Sequence, residues 1–227
     1  VWSEINKQQK NKPSAWTNLE APKPKVQAPV KVDNEFPPGT ISFDLETGGD
    51  DPLKANDPSF LRLSGWGIDQ GPIMCSSMPL GFIEDLLNHH GWVIGHNILN
   101  FDCIIIEKFC QVSILSLAEK DRLRDTKLLA FLADPPPSRT DEGLIEKMYS
   151  LENVGTKYLG EGKMVDVVTG KSVLKELAKE FGGYDKIPQD NERYVAYCQR
   201  DVEATRDLAR VLPINDYAIR EHKINAV

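Results

Sequence analysis

Residues 41–48 read ISFDLETG, and this stretch decides the fold expected for the chain. Side chains two residues apart in a strand point to the same face, so Asp44 and Glu46 lie side by side. Phe43 and Leu45 face the opposite way. Two neighbouring carboxylates repel each other unless they reach solvent or hold a cation, and oxygen ligands suit a hard divalent ion such as Mg²⁺ or Mn²⁺. The stretch therefore predicts a strand that ends either in solvent or at a metal site.

Strand and helix signals alternate along the chain from Gly39 onward, which predicts an α/β fold. The predicted strands are Thr40–Glu46, Leu61–Asp69, Pro72–Ser76, Trp92–Gly95 and Asp121–Asp125. The predicted helices are Pro79–His89, Leu99–Phe109, Thr126–Ala133, Glu142–Tyr149, Leu151–Leu159, Ser172–Phe181 and Asn191–Leu212. Asp190 is the candidate N-cap of the last and longest helix, and Pro213 is its stop. A further helical pattern begins at Ile214.

The composition is typical of a soluble intracellular protein rather than a membrane-spanning, collagen-like or disordered one. Hydrophobic residues make up 41% of the 227 and charged residues 27%. The longest apolar runs fall far short of the ~20 residues that a membrane-spanning helix needs. The four cysteines form no C-x-x-C pair, which favours buried thiols in a reducing compartment over disulfides or a zinc site. We therefore predict no membrane association and an intracellular, cytoplasmic location.

Charge and proline content divide the chain near residue 38. Residues 1–38 are proline-rich and hold six lysines against four carboxylates, which predicts an extended arm or linker. The alternative is a docking segment for a partner domain, anchored by Trp2 and Trp16. The rest of the chain is strongly acidic, and the whole chain carries a formal charge of −7. Because proteins that bind nucleic acid through bulk charge are basic, a phosphate ligand here requires a local device such as metal ions.

Two further stretches carry candidate functional groups. Residues 95–102 read GHNILNFD, in which a strand ends in a turn and a helix opens with Asp102 in its first turn. This acid either stabilises the helix through its interaction with the helix dipole, or belongs to a functional site at the end of the strand. Residues 197–201 read YCQRD, and the spacing of four places Tyr197 and Asp201 on one face of the long helix. A half-buried carboxylate needs a partner. For Asp201 this is either a hydrogen bond to Tyr197 that helps to pack the helix, or a ligand at a site that Asp201 shares with the other acids.

Taken together, the three stretches resemble motifs I, II and III of the DEDDy 3′–5′ exonucleases. Motif I corresponds to Phe43–Thr47, motif II to Asn97 with Asp102, and motif III to Tyr197 with Asp201. The closest resemblance is to the proofreading domain of family A DNA polymerases, of bacteriophage or bacterial type. It covers residues 39–212, and residues 213–227 resemble the start of a helical connection to a polymerase module.

Smaller details refine the resemblance. The histidine variant of this superfamily carries His five residues before the last Asp, where this chain has Ala196, whereas Tyr197 fits the tyrosine variant. Asp125-Thr126 resembles the Asp-Thr strand end found between motifs II and III. Phe101 departs from the family, which often has Tyr there, so the ring is kept and a hydroxyl is lost.

The resemblance implies a ribonuclease H-like fold with a mixed five-stranded sheet, and phosphodiester hydrolysis by two divalent cations, Mg²⁺ or Mn²⁺. Asp44 would bridge the two cations, and Glu46 and Asp201 would complete the site that activates water. Asp102 would hold the second cation largely through water. Tyr197 would orient the attacking water, since an unperturbed phenol with a pKa of about 10 is a poor base at neutral pH.

Thr47 and Asn97 match family positions that contact the terminal nucleotide. The implied partners are a single-stranded 3′ end of DNA and a polymerase module of the same or another chain, and the implied role is proofreading. Two alternatives remain open. One is a ribonuclease D-like or RecQ-associated DEDDy exonuclease that acts on RNA or other ends, and the other is a catalytically silent nucleic-acid-binding scaffold.

Overall fold

The computed structural model describes residues 33–49, 51–77, 90–110, 113–138, 140–160 and 172–225. The strands are β1 (Ile41–Thr47), β2 (Leu61–Ile68), β3 (Ile73–Ser76), β4 (Val93–Gly95) and β5 (Leu123–Asp125). The helices are α1 (Asp102–Cys110), α2 (Ile114–Glu119), α3 (Thr126–Ala133), α4 (Glu142–Met148), α5 (Leu151–Leu159), α6 (Val173–Phe181), α7 (Glu192–Val211) and α8 (Asp216–Asn225). Among these described residues, none of the helices is both long and apolar enough to cross a bilayer.

The strands form one mixed sheet in the order β3-β2-β1-β4-β5. The pairs β1–β2 and β2–β3 are antiparallel, whereas β1–β4 and β4–β5 are parallel. The predicted α/β class and the mixed five-stranded sheet flanked by helices are thus confirmed. This topology is compatible with a ribonuclease H-like fold, which remains a prediction. Strand β1, which holds most of the ISFDLETG stretch, is the middle strand of the sheet.

Helices cover both faces of β1. On one face, Phe43 and Leu45 are buried in a cluster with Ile105 of α1. On the other face, α7 packs across the sheet and buries Tyr197 and Cys198. The alternation of apolar and acidic residues in β1 therefore places the apolar side chains under α1 and the two acids under α7.

Helix α7 lies against the sheet where β2 carries Gly65. A Cβ atom at this position would lie 2.7 Å from the Cys198 Sγ atom and 2.9 Å from the Val202 Cγ2 atom. Both distances are shorter than ordinary van der Waals contact, so only glycine allows the helix this close approach. Gly65 is paired with Asp44 of β1, so the contact lies directly beside the acidic face of the central strand.

Local boundaries differ from the prediction where backbone geometry overrides the hydrophobic pattern. The predicted helix Leu99–Phe109 is divided into a 3₁₀ turn, Ile98–Asn100, and α1, because Phe101 adopts a non-helical conformation. The N-cap of α7 is Asn191 and not Asp190, because the Asn191 side chain accepts hydrogen bonds from the Arg193 and Tyr194 N–H groups.

Other boundaries are shorter, missed or untested. Strand β5 begins at Leu123 rather than Asp121, which has a positive φ of 58° and ends a turn before the strand. Helix α2 was not predicted from the sequence. The predicted helix Pro79–His89 lies outside the described residues, as do residues 161–171.

Both ends of the described chain pack against the domain. Of the predicted arm, residues 1–32 lie outside the described residues, and Asn34 caps the end of α7. Its side-chain amide donates hydrogen bonds to the carbonyl oxygens of Ala209 and Leu212, each at 2.7 Å. At the other end, α8 packs on α2, α3 and β5. The predicted division at residues 38 and 212 is not tested by these contacts.

We predict that Gly65→Ala lowers the free energy of unfolding by about 1–3 kcal/mol, the usual cost of an extra group in a filled core. The reason is that the new methyl group would meet Cys198 and Val202 at short range. Gly67→Ala is the matched control, because it lies on the same face of β2 and its methyl group would meet chiefly the mobile end of the Ile73 side chain. Urea denaturation measures both, and a loss at Gly65 no larger than that at Gly67 would contradict the packing argument.

Candidate functional site

All seven residues predicted as site residues line one cleft of about 290 Å³. They are Asp44, Glu46, Thr47, Asn97, Asp102, Tyr197 and Asp201. The cleft lies where β1 and β4 end, which is the edge of a parallel strand pair where α/β proteins commonly place their ligands. Three segments that are far apart in sequence thus meet at one place, although their chemical roles remain predictions.

Asp44 and Glu46 form the centre of this cleft. Asp44 is half-buried and Glu46 is 6% exposed. One oxygen of each carboxylate and the Cys198 Sγ atom all lie within 4.8 Å of one another. Asp102 and Asp201 line the same cleft but do not belong to this closest group of potential metal ligands among the described residues. The two acids of β1 are therefore the strongest candidates for direct cation contact.

Tyr197 and Asp201 are joined by a side-chain hydrogen bond, as their spacing on α7 predicts. Burial raises the pKa of Tyr197 far above that of a free phenol, and the negative charges of Asp201, Glu46 and Asp44 raise it further. The phenol is therefore neutral at physiological pH and acts as a hydrogen-bond donor. This electrostatic setting favours the positioning role over proton abstraction.

Asp102 opens α1 and is almost fully buried, at 3% exposure. Strand β4 pairs with β1 only at Ile41 and Ser42, so β1 has no strand partner on that side beyond them. The Leu45 N–H group instead donates a 3.0 Å hydrogen bond to the Asp102 carboxylate. Burial raises the pKa of Asp102 to about 7, against the lowering effect of this hydrogen bond. A cation in the cleft would favour the charged form.

Thr47 and Asn97 also line the cleft, and both are half-buried. The Thr47 hydroxyl donates a 2.5 Å hydrogen bond to the Gly49 carbonyl oxygen. Asn97 adopts a left-handed conformation with φ of 62°, and its side-chain oxygen accepts a 3.1 Å hydrogen bond from Lys127. Lys127 also forms an ion pair with Glu146 at 2.6 Å. The positive charge that Lys127 brings beside Asn97 is therefore already paired with the Glu146 carboxylate.

Asp125 holds the loop that carries Asn97. Its buried carboxylate accepts hydrogen bonds from the N–H groups of Asn97 at 2.9 Å, Leu99 at 3.2 Å and Lys127 at 2.9 Å. One side chain thus fixes the loop after β4 and the start of α3 together. In the sequence, Asp125 stands out only through its resemblance to an Asp-Thr strand end. Its place directly before α3 is typical of an N-cap, but no local signal predicts its bonds to Asn97 and Leu99.

His222 of α8 continues this network behind Asp125. Its Nε2 atom accepts a 2.6 Å hydrogen bond from the Asp125 N–H group, and its Nδ1 atom lies 2.6 Å from the Ala218 carbonyl oxygen. An amide can only donate and a carbonyl can only accept, so the ring is neutral with its proton on Nδ1. Burial lowers the pKa of His222; the charge of Asp125 raises it, and that of Arg124 lowers it.

Several cleft residues were not found from the sequence. His96 lacked a matching partner in the sequence pattern, yet its ring contacts the Thr126 hydroxyl at 2.9 Å and the Tyr149 carbonyl oxygen at 3.0 Å. Leu174 of α6 and Tyr184, in the turn between α6 and α7, also line the cleft. No short-range pattern marks these positions, because they reach the cleft only through the tertiary fold.

Comparison with known proteins adds no family assignment. No protein-family model matches the chain, and no match was found among curated proteins. The arguments that follow therefore rest on the residues of the cleft.

We predict that Asp102→Ala lowers the free energy of unfolding by about 1–3 kcal/mol relative to Asp102→Asn, because alanine leaves the buried Leu45 N–H group without its acceptor. Asparagine keeps an acceptor oxygen and removes the charge. Above pH 7 and without divalent cations, Asp102→Asn should be at least as stable as the parent, because the raised pKa means that ionisation of Asp102 disfavours the folded state there. Urea denaturation at pH 8 measures all three proteins, and equal stability of the two variants would contradict this hydrogen bond.

His222 should make stability depend on pH. Since its folded pKa lies below the unfolded value of about 6.5, its contribution is full above that pH and is lost as the pH falls toward the folded value. Between pH 8 and pH 5 the parent should therefore lose more stability than His222→Gln, by up to about 1.4 kcal/mol per pH unit, the slope for one proton. Thermal denaturation across this range tests the difference, and parallel curves would show that His222 is not buried in its neutral form.

Proposed function

We propose that this chain is a metal-dependent 3′–5′ exonuclease of the DEDDy type, which hydrolyses phosphodiester bonds at the 3′ end of single-stranded or frayed DNA and releases nucleoside 5′-monophosphates. The observation that carries the proposal is the meeting of Asp44, Glu46, Asp102 and Asp201 with Tyr197 in one cleft. These residues come from three separate segments in the order and on the elements that the motifs require. A packing role for each segment alone gives no reason for their convergence.

The donor set of the cleft suits hard divalent cations. Its candidate ligands are carboxylate oxygens, which Mg²⁺ and Mn²⁺ prefer. Asp44 and Glu46 would hold the first cation with Asp201, and Asp44 and Asp102 would hold the second. Two such cations would supply an acidified water and would neutralise charge on the attacking and leaving oxygens.

The side chains around the acids have distinct tasks in this proposal. Tyr197 stays neutral and donates a hydrogen bond, and Asp201 fixes the direction of its hydroxyl. Because its one hydroxyl proton goes to Asp201, the Tyr197 oxygen is left to accept a hydrogen bond from an attacking water, which it would orient without taking the proton. Asn97 and Thr47, which line the cleft, would contact the terminal nucleotide. Asp125 keeps Asn97 in place through the backbone of the loop.

The charge of the chain makes DNA binding depend on cations. The chain is acidic overall, and Lys127 beside Asn97 is paired with Glu146. Phosphate groups therefore meet little free positive charge at this part of the cleft edge unless cations occupy the carboxylates. We infer that the affinity for single-stranded DNA rises steeply when Mg²⁺ or Mn²⁺ is added.

The cellular setting follows from the same proposal. Free cysteines suit a reducing compartment, and we propose the cytoplasm of a bacterium or of a phage-infected cell. The partner of the chain would be a family A polymerase module, to which residues 213–227 would lead. Proofreading is then the role of the cleft, since a mispaired primer end frays more readily than a paired one.

We predict shortening of a 5′-labelled single-stranded DNA, one nucleotide at a time, in Mg²⁺ or Mn²⁺ and not in a chelator. Asp44→Asn should lower the rate at least about 100-fold, because loss of a cation ligand removes several kcal/mol of transition-state stabilisation. Asp190→Asn, an exposed acid before α7, is the control and should cut like the parent.

Gel electrophoresis of the products and circular dichroism of each variant complete the test. A folded parent that shortens DNA with neither metal would refute an active exonuclease. Asp44→Asn cutting as fast as the parent would refute the site. If a matched RNA strand were shortened faster than the DNA, the proposed substrate would be RNA and not DNA.

A further inference from the structure

A thiol lies against the two acids of β1. The Cys198 Sγ atom and one oxygen from each of Asp44 and Glu46 are mutually within 4.8 Å. Cys198 is fully buried. It follows Tyr197 directly on α7, so its side chain points from the helix into the sheet while Tyr197 lines the cleft.

The sheet explains how the sulfur reaches this position. Asp44 of β1, Gly65 of β2 and Cys75 of β3 are paired side by side across three strands. Because Gly65 has no side chain, the Cys198 sulfur sits over it. The sulfur therefore lies between the acidic pair on one side and Cys75 on the other.

The second thiol makes this more than a single buried cysteine. Cys75 and Cys198 are joined by a hydrogen bond between their side chains. Cys75 is half-buried and lines a second cavity, of about 530 Å³, with Leu63 and Gln189. The thiol pair thus extends from this cavity to the carboxylates of the cleft.

A ligand set of one sulfur and two carboxylate oxygens differs in chemistry from an oxygen-only set. Zn²⁺ binds cysteine sulfur at about 2.3 Å and carboxylate oxygen at about 2.0–2.2 Å, with tetrahedral angles that place ligand atoms about 3.5 Å apart. Ligand atoms that already lie within 4.8 Å of one another need only a small movement to reach that spacing. Soft sulfur favours Zn²⁺ and Cd²⁺, and adds nothing for Mg²⁺.

We propose that Asp44, Glu46 and Cys198 form a binding site for a thiophilic divalent cation, Zn²⁺ or Cd²⁺, which overlaps the hard-cation site of the cleft. On binding, the Cys198 thiol releases its proton to solvent, and its sulfur exchanges the hydrogen bond with Cys75 for a bond to the cation. No electrons are transferred. The site concerns binding alone, so it stands whether or not the chain cuts DNA.

Titration of the full chain with Cd²⁺ tests the site, since Cd²⁺ bound to a thiolate shows a sulfur-to-metal charge-transfer absorption in the ultraviolet. We expect this absorption to saturate at one Cd²⁺ per chain. Cys198→Ser should weaken the binding at least about tenfold and remove the absorption, by loss of the soft ligand. Asp44→Asn should weaken the binding and keep the absorption. Cys110→Ser, a half-buried cysteine outside the cleft, should leave both unchanged.

The opposite results are equally clear. Absorption that persists in Cys198→Ser, that disappears only in Cys75→Ser, or that never forms in the parent would overturn the site. Unchanged affinity in both Asp44→Asn and Glu46→Gln would overturn the part played by the carboxylates. Cadmium NMR of the unmodified protein is a second measurement that needs no variant, because its chemical shift separates a sulfur-containing set from an oxygen-only one. Exonuclease activity without a thiolate signal would refute this site and leave the proposed function intact.

Discussion

The close packing of α7 on the sheet at Gly65 is the contact on which the cleft depends. It sets the distance between the helix that carries Tyr197 and Asp201 and the strand that carries Asp44 and Glu46. Any larger residue at position 65 would push the helix outward, and with it two of the five groups to which we assign chemistry. A glycine with no chemistry of its own therefore determines whether the acids of β1 and of α7 can serve one ligand.

The cleft gathers negative charge in a place where burial makes it costly. The effects appear in the pKa values of two cleft residues: burial and three nearby acids raise the pKa of Tyr197, and burial raises that of Asp102. Such an arrangement does not arise from optimising stability, because apolar residues of similar size would pack there at lower cost. Proteins carry this kind of local conflict chiefly at functional sites, where a ligand of opposite charge relieves it.

The sequence predicts the local parts of this structure well and the long-range parts poorly. The alternation in ISFDLETG correctly separates Phe43 and Leu45 from the acids, and the spacing of four correctly places Tyr197 beside Asp201. Both depend only on strand and helix periodicity. The N-cap was misplaced by one residue, since Asp190 and Asn191 are equally good caps by type and only backbone geometry separates them.

The sequence contains no local pattern that predicts contacts between distant segments. Three such contacts are Gly65 with Cys198, Cys75 with Cys198, and His222 with Asp125. Each joins positions at least 97 residues apart, and the His222–Asp125 pair has this shortest separation. Nothing in the spacing of such residues predicts that they meet. The family resemblance brought the four acids together in advance, but it could not supply the groups that hold them in place.

The docking of His222 beneath Asp125 has a practical consequence for anyone who wishes to excise this domain. A cut at residue 212, where the long helix stops, discards α8 and strips the Asp125 amide of its acceptor. Asp125, which holds the loop bearing Asn97, would then lose its contact with His222, although every motif residue is retained. The smallest faithful fragment must therefore extend through His222, because α8 supports the loop that lines the cleft.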